Sequence, residues 1–248
     1  MFKCSIKGKR LKEATTGLTA MVDEIRLNLS SIGISVKAVD PANVAMVSLT
    51  LGKEAFESFN TTDSLLGIDL TRLSSFIEMV DNDDTVSLEL DELTHKLKIE
   101  FRGLTYTMSL LDPKTIRTEP KSPTLELPIE LAISGTDFKF GMKAASKISD
   151  YVIFGVNKEA TNFFIAASEA TEDIIYEIPI ERTKVTRISE AKSTFSIDYL
   201  IKIQKQAEKT SELTILLGKD YPVKIGFPIS DGNGVIEYMI APRVENED

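Results

Sequence analysis

The sequence predicts an α+β fold in two tandem, similar domains, each with antiparallel sheets and two helices. Three observations carry that reading. Four of the nine prolines fall within Asp112–Pro128, at almost the middle of 248 residues. Each proline removes a backbone donor and restricts the residue before it, so this stretch reads as an extended connector without a long helix or central strand. On both sides of it, apolar residues switch between a spacing of two and helical spacing, in the same order. The expected organisation is therefore a domain over 1–111, a connector over 112–127 and a second domain over 128–248.

In chain order, Lys3–Lys7 alternates and suggests a short strand. Lys9–Val22 sets Leu11, Ala14, Thr15, Leu18, Met21 and Val22 on one helical stripe. The period then falls to two through Ile25, Leu27 and Leu29, a Ser-Ser break, Ile34, Val36 and Ala38, and the run Val44–Leu51. Ile68–Val80 returns to helical spacing, and strands follow around Thr85–Leu90, Lys96–Phe101 and Thr105–Leu111. The second half repeats the order. Leu125–Ser134 is strand-like and Asp137–Ser149 helical. Tyr151–Val156, Phe163–Ala167 and Ile174–Ile180 are strands, and Ile197–Ala207 is helical. Leu213–Leu217, Val223–Phe227 and Val235–Ile240 end the series. Asp23-Glu-Ile-Arg-Leu matches Asp150-Tyr-Val-Ile-Phe at an offset of 127, and Ile68-Asp69-Leu70 matches Ile197-Asp198-Tyr199 at 129. Together these describe a duplicated, strand-rich α+β unit with two helices per copy.

Composition narrows the classes of function. The chain is 42% hydrophobic and 27% charged, far from the disordered class. No apolar run approaches the ~20 residues that span a bilayer, and the opening residues meet charge too early for a signal peptide. Cys4 is the only cysteine, which excludes an internal disulfide and a thiolate metal cage and fits a reducing compartment. A net charge of −9 argues against nucleic acid unless the positive charges are gathered on one surface.

Enzyme chemistry is poorly supplied, and no catalytic residue, metal ligand or cofactor is assigned. His95 is the only histidine and sits in a turn with no paired nucleophile. Asp81-Asn-Asp-Asp84 lacks the glycine and late glutamate of a calcium loop, so it reads as a solvated helix end. Gly232-Asn-Gly234 precedes a strand, not a helix, and reads as a hairpin turn. The helices say more. Lys139, Lys143 and Lys147 recur opposite the Phe138/Met142/Ala145 stripe, and Lys202, Lys205 and Lys209 opposite Leu200/Ile203/Ala207. Lys9 and Lys12 mark the first helix and Arg72 the second. A single lysine row is ordinarily a solvated face. Two rows in one repeat of an acidic chain suggest a basic surface for phosphate backbones, without base reading. No aromatic residue is interleaved among them, so stacking on single-stranded bases is not indicated. Val39, Val44 and Met46 on one loop, and Tyr238-Met-Ile-Ala-Pro242 near the end, are candidates for lining a groove for a partner peptide.

Several stretches together resemble the sliding clamps of the proliferating cell nuclear antigen family, of the archaeal and eukaryotic type. They are the opening Met-Phe, Val36–Leu51, Ile68-Asp-Leu-Thr-Arg-Leu, Leu110-Leu-Asp112 and Ala241-Pro-Arg-Val244. The resemblance implies the DNA clamp fold and a closed ring of three subunits, with helices lining a hole around duplex DNA. It implies a DNA polymerase processivity factor for replication and repair, non-enzymatic and without cofactors. Its partners would be duplex DNA of any sequence, a clamp loader, and polymerase, flap endonuclease and ligase carrying short peptide motifs. No membrane is implied. The location would be cytoplasmic and nucleoid-associated in an archaeon, nuclear in a eukaryote. Carried over by position, the peptide pocket involves Val39, Asn43, Val44, Met46, Ile116, Pro222, Met239, Ala241 and Pro242. Met239 stands where some members have an aromatic residue. Lys12, Arg72, Lys143, Lys147 and Lys205 fall on the channel face, and Ser75 and Glu78 occupy positions that are basic in some relatives. The ring also accounts for Tyr106, Met108 and Leu110, and for Ile174, Tyr176 and Ile178, as alternating residues on two edge strands. Edges of that kind are a liability unless a neighbouring chain pairs with them. A scaffold of the same fold that does not encircle DNA is the alternative.

Overall fold

In a computed structural model that describes residues 1–118, 125–207, 210 and 212–243, the chain divides into two units. The first holds Met1–Lys121 and Pro228–Ile236, the second Ser122–Phe227 and Glu237–Asp248. The boundaries expected at 111/112 and 127/128 kept 228–236 with the second domain, whereas this turn groups with the first unit. Lys209 and the acidic residues 245–248 lie outside the described residues.

The first unit begins with β1 (Phe2–Lys7) and α1 (Gly8–Thr19), followed by β2 (Glu24–Ser30), β3 (Gly33–Val39), β4 (Ala45–Gly52) and β5 (Ser58–Thr61). It continues through β6 (Ser64–Asp69), α2 (Leu70–Ile77), β7 (Thr85–Asp91), β8 (Lys96–Phe101) and β9 (Leu104–Ser109). One antiparallel sheet runs β5-β1-β7-β8-β9, and β4-β3-β2-β6 are neighbours in another. The helical stripe on α1 buries Leu11, Ala14, Thr15 and Leu18, and α2 buries Leu70, Leu73 and Ile77. Burying side chains of this size contributes roughly 1.5–3 kcal/mol each, which is what holds two short helices on the sheets. The second helix is shorter than expected. Ile68 and Asp69 end β6, and the Asp69 carboxylate caps α2 by accepting from the Arg72 amide at 2.9 Å.

The second unit repeats this plan. It comprises β10 (Ile129–Ile133), α3 (Gly135–Ala145), β11 (Tyr151–Val156), β12 (Asn162–Ser168), β13 (Asp173–Pro179) and β14 (Lys184–Arg187). Then follow β15 (Ala191–Ser196), α4 (Ile197–Ala207), β16 (Leu213–Leu217), β17 (Val223–Ile229) and β18 (Gly234–Ile240). The sheet order is β13-β12-β11-β15 in one case and β14-β10-β16-β17-β18 in the other. α1 packs beside α2, and α3 beside α4.

The register of the duplication is 127 throughout its best-defined parts, which corrects the 129 offset at the second helix. Glu24 pairs with Asp69 and Tyr151 with Ser196; the Leu70 amide donates to the Asp23 carbonyl at 2.8 Å and the Ile197 amide to the Asp150 carbonyl at 2.9 Å. Leu70 is thus the counterpart of Ile197, each opening its helix. Gly8 and Gly135, also 127 apart, open the first helices of the two units. A Cβ at Gly8 would collide with the Asp81 carbonyl, and one at Gly135 with the Ala207 carbonyl, so each glycine lets one helix start against the end of the other.

Four short strands were not expected from the sequence. β5, Ser-Phe-Asn-Thr, and β14, Lys-Val-Thr-Arg, lie at sheet edges with little buried surface, so no alternation marks them. β6 and β15 lead straight into helices, and helical spacing masks the end of the strand.

Candidate functional site

The lysine rows stand on exposed helix faces. Lys139 and Lys143 are exposed on α3 while Phe138, Met142 and Ala145 are fully buried beneath, and Lys147 is exposed in the turn that follows. On α4, Lys202 and Lys205 are exposed over buried Leu200, Ile203 and Ala207. The absence of interleaved aromatics expected from the sequence is corrected. Phe140 is 59% exposed between Lys139 and Lys143, and Lys202 lies 5.7 Å over the Tyr199 ring. Phe140 is itself engaged, edge-on to Tyr176 at 4.9 Å.

In the first unit the basic groups are less available. The Lys9 ammonium donates to Asp231 at 2.9 Å and lies 3.9 Å from Glu13, and the Asp231 bond pushes its pKa up. Arg10 reaches the other Asp231 oxygen at 3.1 Å and the Ala55 carbonyl at 2.8 Å. Asp231 is correspondingly held below the usual carboxylate range by Lys9 and Arg10. Lys12 is half-buried, and Arg72, though exposed, pairs with Asp69 at 3.1 Å. Ser75 and Glu78 are exposed on or just after α2. Lys9 therefore belongs to an intramolecular ion pair, whereas Lys143, Lys147 and Lys205 make no ion pair among the described residues.

Both strands expected at edges are edges: β9 closes one side of its sheet and β13 one side of its own. Their side chains divide differently from a simple exposed row. Met108 and Ile178 are buried in their own units, so what they bring to an edge is backbone. Tyr106 is half-buried and stacks on Phe76 at 3.5 Å with an interplanar angle of 13°. Leu110 lies past the strand, its amide donating to the His95 carbonyl. Ile174 and Tyr176 are half-buried, and the exposed apolar residue on β13 is Ile175, at 59%. The Tyr176 hydroxyl donates to Asp137 at 2.6 Å. Burial first, and then that bond, push the Tyr176 pKa up to about 12. Burial works to raise Asp137, but the bonds from Tyr176 and Ser134 and the Arg182 charge hold it below the carboxylate range.

The candidate peptide residues fall on both units. Val39, Val44 and Met46 are half-exposed around the β3–β4 loop, and Asn43 is exposed in the left-handed region at φ 61. The loop is organised by Asp40, only 4% exposed, whose carboxylate accepts from the amides of Ala42, Val44 and Ala45 at 2.7–3.1 Å. Ile116 is buried, and the connector start is a turn, not an extended strand, over Asp112–Thr115. Arg117 reaches back to the β3–β4 loop, donating to the Asp40 carbonyl at 3.1 Å and to the Asn43 side-chain oxygen. In the second unit Pro222, Met239, Ala241 and Pro242 are each half-exposed.

The remaining candidates find ordinary roles. His95 lies exposed in the β7–β8 turn. Arg102 bridges Asp81 and Asp84, so these carboxylates of the Asp81–Asp84 cluster serve a guanidinium. The 230–234 turn joins β17 to β18 as a hairpin, but the positive φ values belong to Ser230, Asp231 and Gly232, not to Asn233. Sequence reasoning missed Arg117, Asp40, Asp231, Phe140 and Ile175. Only Asp40 left a local signal, an Asp-Pro opening a loop whose following amides it caps.

Among the described residues no helix is long and apolar enough to cross a membrane. The family description "Proliferating cell nuclear antigen, N-terminal domain" matches residues 1–107, and "Proliferating cell nuclear antigen, C-terminal domain" matches residues 121–243. The chain is 44% identical to a "DNA polymerase sliding clamp" of Methanosarcina barkeri and 45% identical to one of Methanococcoides burtonii, covering 100% of both chains in each case. Among solved structures it is similar to A. fulgidus PCNA bound to the C-terminal region of FEN-1, with a TM-score of 0.94, 36% identity and 100% of both chains covered.

Proposed function

The chain belongs to the proliferating cell nuclear antigen family, and from that premise we propose that it is a DNA polymerase sliding clamp, a processivity factor acting in replication. The observation that carries the reading is the duplication itself. Each unit brings a helix pair bearing basic side chains and a sheet ending in an uncovered edge, β9 in one and β13 in the other. Edges of this kind, on two copies of one design, suit head-to-tail pairing between chains, β9 of one with β13 of the next, and such heterologous pairing closes into a ring when the rotation suits. We take the ring to be a trimer of domains 1–111 and 128–248 joined by 112–127.

The mechanism follows from charge and topology. Exposed lysines on α3 and α4, with Lys12 and Arg72, attract phosphates without reading bases, and they leave the duplex mobile. The net charge of −9 keeps the rest of the surface from binding DNA. Retention comes from closure, and the protein turns nothing over. Partners attach by a short peptide. Val39, Asn43, Val44, Met46 and Ile116 on the first unit, and Pro222, Met239, Ala241 and Pro242 on the second, are the residues proposed for it. A flap endonuclease is one such partner, since the A. fulgidus relative holds the C-terminal region of FEN-1. Polymerase, ligase and a clamp loader are proposed on the same basis, with the site of action at chromosomal duplex DNA.

Gel filtration of protein loaded on a circular duplex tests this. The clamp stays with the circle in high salt and leaves once the circle is cut. Equal loss from circle and linear duplex would leave a scaffold that does not encircle DNA.

A further inference from the structure

We infer that Arg117 is a positioning residue for partner peptides: it latches the start of the connector onto the β3–β4 loop and so fixes the mouth at which a peptide is received. This rests on the peptide-binding reading of that loop.

The latch is built from both sides. On the loop side, the buried Asp40 carboxylate gathers the amides of Ala42, Val44 and Ala45, which leaves the Asp40 carbonyl and the Asn43 side chain pointing outward as acceptors. Asn43 holds φ 61, a conformation that asparagine tolerates better than most residues, so its amide is presented from a fixed backbone. On the connector side, the Leu111 amide bonds the Gly67 carbonyl at 2.9 Å. Asp112 then closes a turn by accepting from the Lys114 and Thr115 amides, through its carboxylate and its carbonyl respectively. The Ile116 side chain is buried next, close enough to Gly67 that a Cβ there would lie 3.1 Å from its Cδ1. Arg117 follows with its side chain outward, and its guanidinium spans the two loop acceptors. A planar guanidinium engages two acceptors at once in a fixed geometry, which an ammonium does not reproduce.

Arg117 is exposed, with no core to fill. Its two bonds join segments 74–77 residues apart in sequence. Those segments are the loop carrying Val44 and Met46 and the connector carrying Ile116. A residue so placed acts on the spacing between the two candidate contact surfaces more than on the stability of the unit.

The test uses the full chain and a synthetic peptide with the glutamine- and aromatic-containing motif of a flap endonuclease C-terminus. Affinity is measured for the native protein, Arg117→Ala, Arg117→Lys, Asn43→Gly, the Arg117→Ala/Asn43→Gly double variant, and Val44→Ala/Met46→Ala. Asn43→Gly keeps the left-handed backbone and removes the acceptor. Arg117→Ala is expected to weaken the peptide about 5- to 20-fold, as loss of a charge-assisted pair of bonds does. Arg117→Lys should recover only part of that. The Arg117→Ala/Asn43→Gly double variant should be no worse than the poorer single, because both members of one pair are gone. Hydrogen exchange at Ile116–Thr118 should quicken in Arg117→Ala, with the melting temperature unchanged. Undiminished affinity in Arg117→Ala, while Val44→Ala/Met46→Ala still binds poorly, overturns the latch and leaves the peptide site standing. If Val44→Ala/Met46→Ala is also undiminished, the peptide site itself is elsewhere. Additive losses in the double variant likewise overturn the pairing.

Discussion

Replacing Lys143, Lys147 and Lys205 by glutamine separates attraction from encirclement. All three are exposed on or just beyond α3 and α4, and none is in an ion pair among the described residues. Glutamine keeps a long stem and good helix propensity, so the change removes charge and little else. Each phosphate contact adds about 0.9 to the log–log salt slope on duplex DNA. Three lost contacts per chain should lower the slope by about 2.7, and across a fourfold rise in salt that is about a 40-fold difference in how affinity falls. Lys9 makes the internal control. Asp231 already occupies it at 2.9 Å, so Lys9→Gln should change the slope by well under one contact. Fluorescence anisotropy on a short linear duplex at several salt concentrations reads the slope, and gel filtration on a closed circle reads retention. The triple variant should load poorly but, once loaded, survive high salt on the circle as the native protein does. An unchanged slope would mean that these lysines do not meet phosphates. Retention on the circle falling in step with affinity for linear duplex would mean that charge, not closure, holds the DNA.

Three further outcomes follow from named contacts. Ile175→Glu or Tyr106→Glu should place an unpaired charge at the proposed seam and shift sedimentation toward monomer; both variants remaining trimeric would refute pairing of β9 with β13. Gly135→Ala should destabilise the second unit, because its Cβ would lie 2.6 Å from the Thr210 carbonyl and closer still to that of Ala207. Overpacking of about 1–3 kcal/mol outweighs the roughly 0.5–1 kcal/mol gained from helix propensity, and a denaturant midpoint at or above the native one would contradict this. Burial raises the Cys4 pKa from 9.0 to about 12, so the folded state favours the neutral thiol. Its contribution is complete below pH 9 and is lost as pH climbs from about 9 toward about 12. Urea midpoints of native protein and Cys4→Ala should converge over that range, and parallel curves would show that the thiol is not the linked group.

The sequence alone determined the number of units, most of their elements and the faces of the helices, because burial on one side of a strand or helix leaves a local period. β8, β11, α4 and β16 begin and end where the spacing places them. The lysine rows were equally legible, since residues three or four apart on a helix share a face whatever it packs against. What each charge does was not legible. Lys9 and Lys143 look alike in the sequence, yet Asp231, 222 residues away, pairs with the first. Phe140 reads as one more apolar residue of α3, and only the packing of α3 on β13 leaves it outside the core against Tyr176. The offset at the second helix has the same origin, for Leu70 and Ile197 are identified as counterparts by the carbonyls of Asp23 and Asp150. Periodicity records which side of an element meets the core, and it carries no information about which distant group meets the other side. That pairing is set by how the sheets bring β1, β3 and the 230–234 turn to particular helices and loops, so tertiary structure alone decided it.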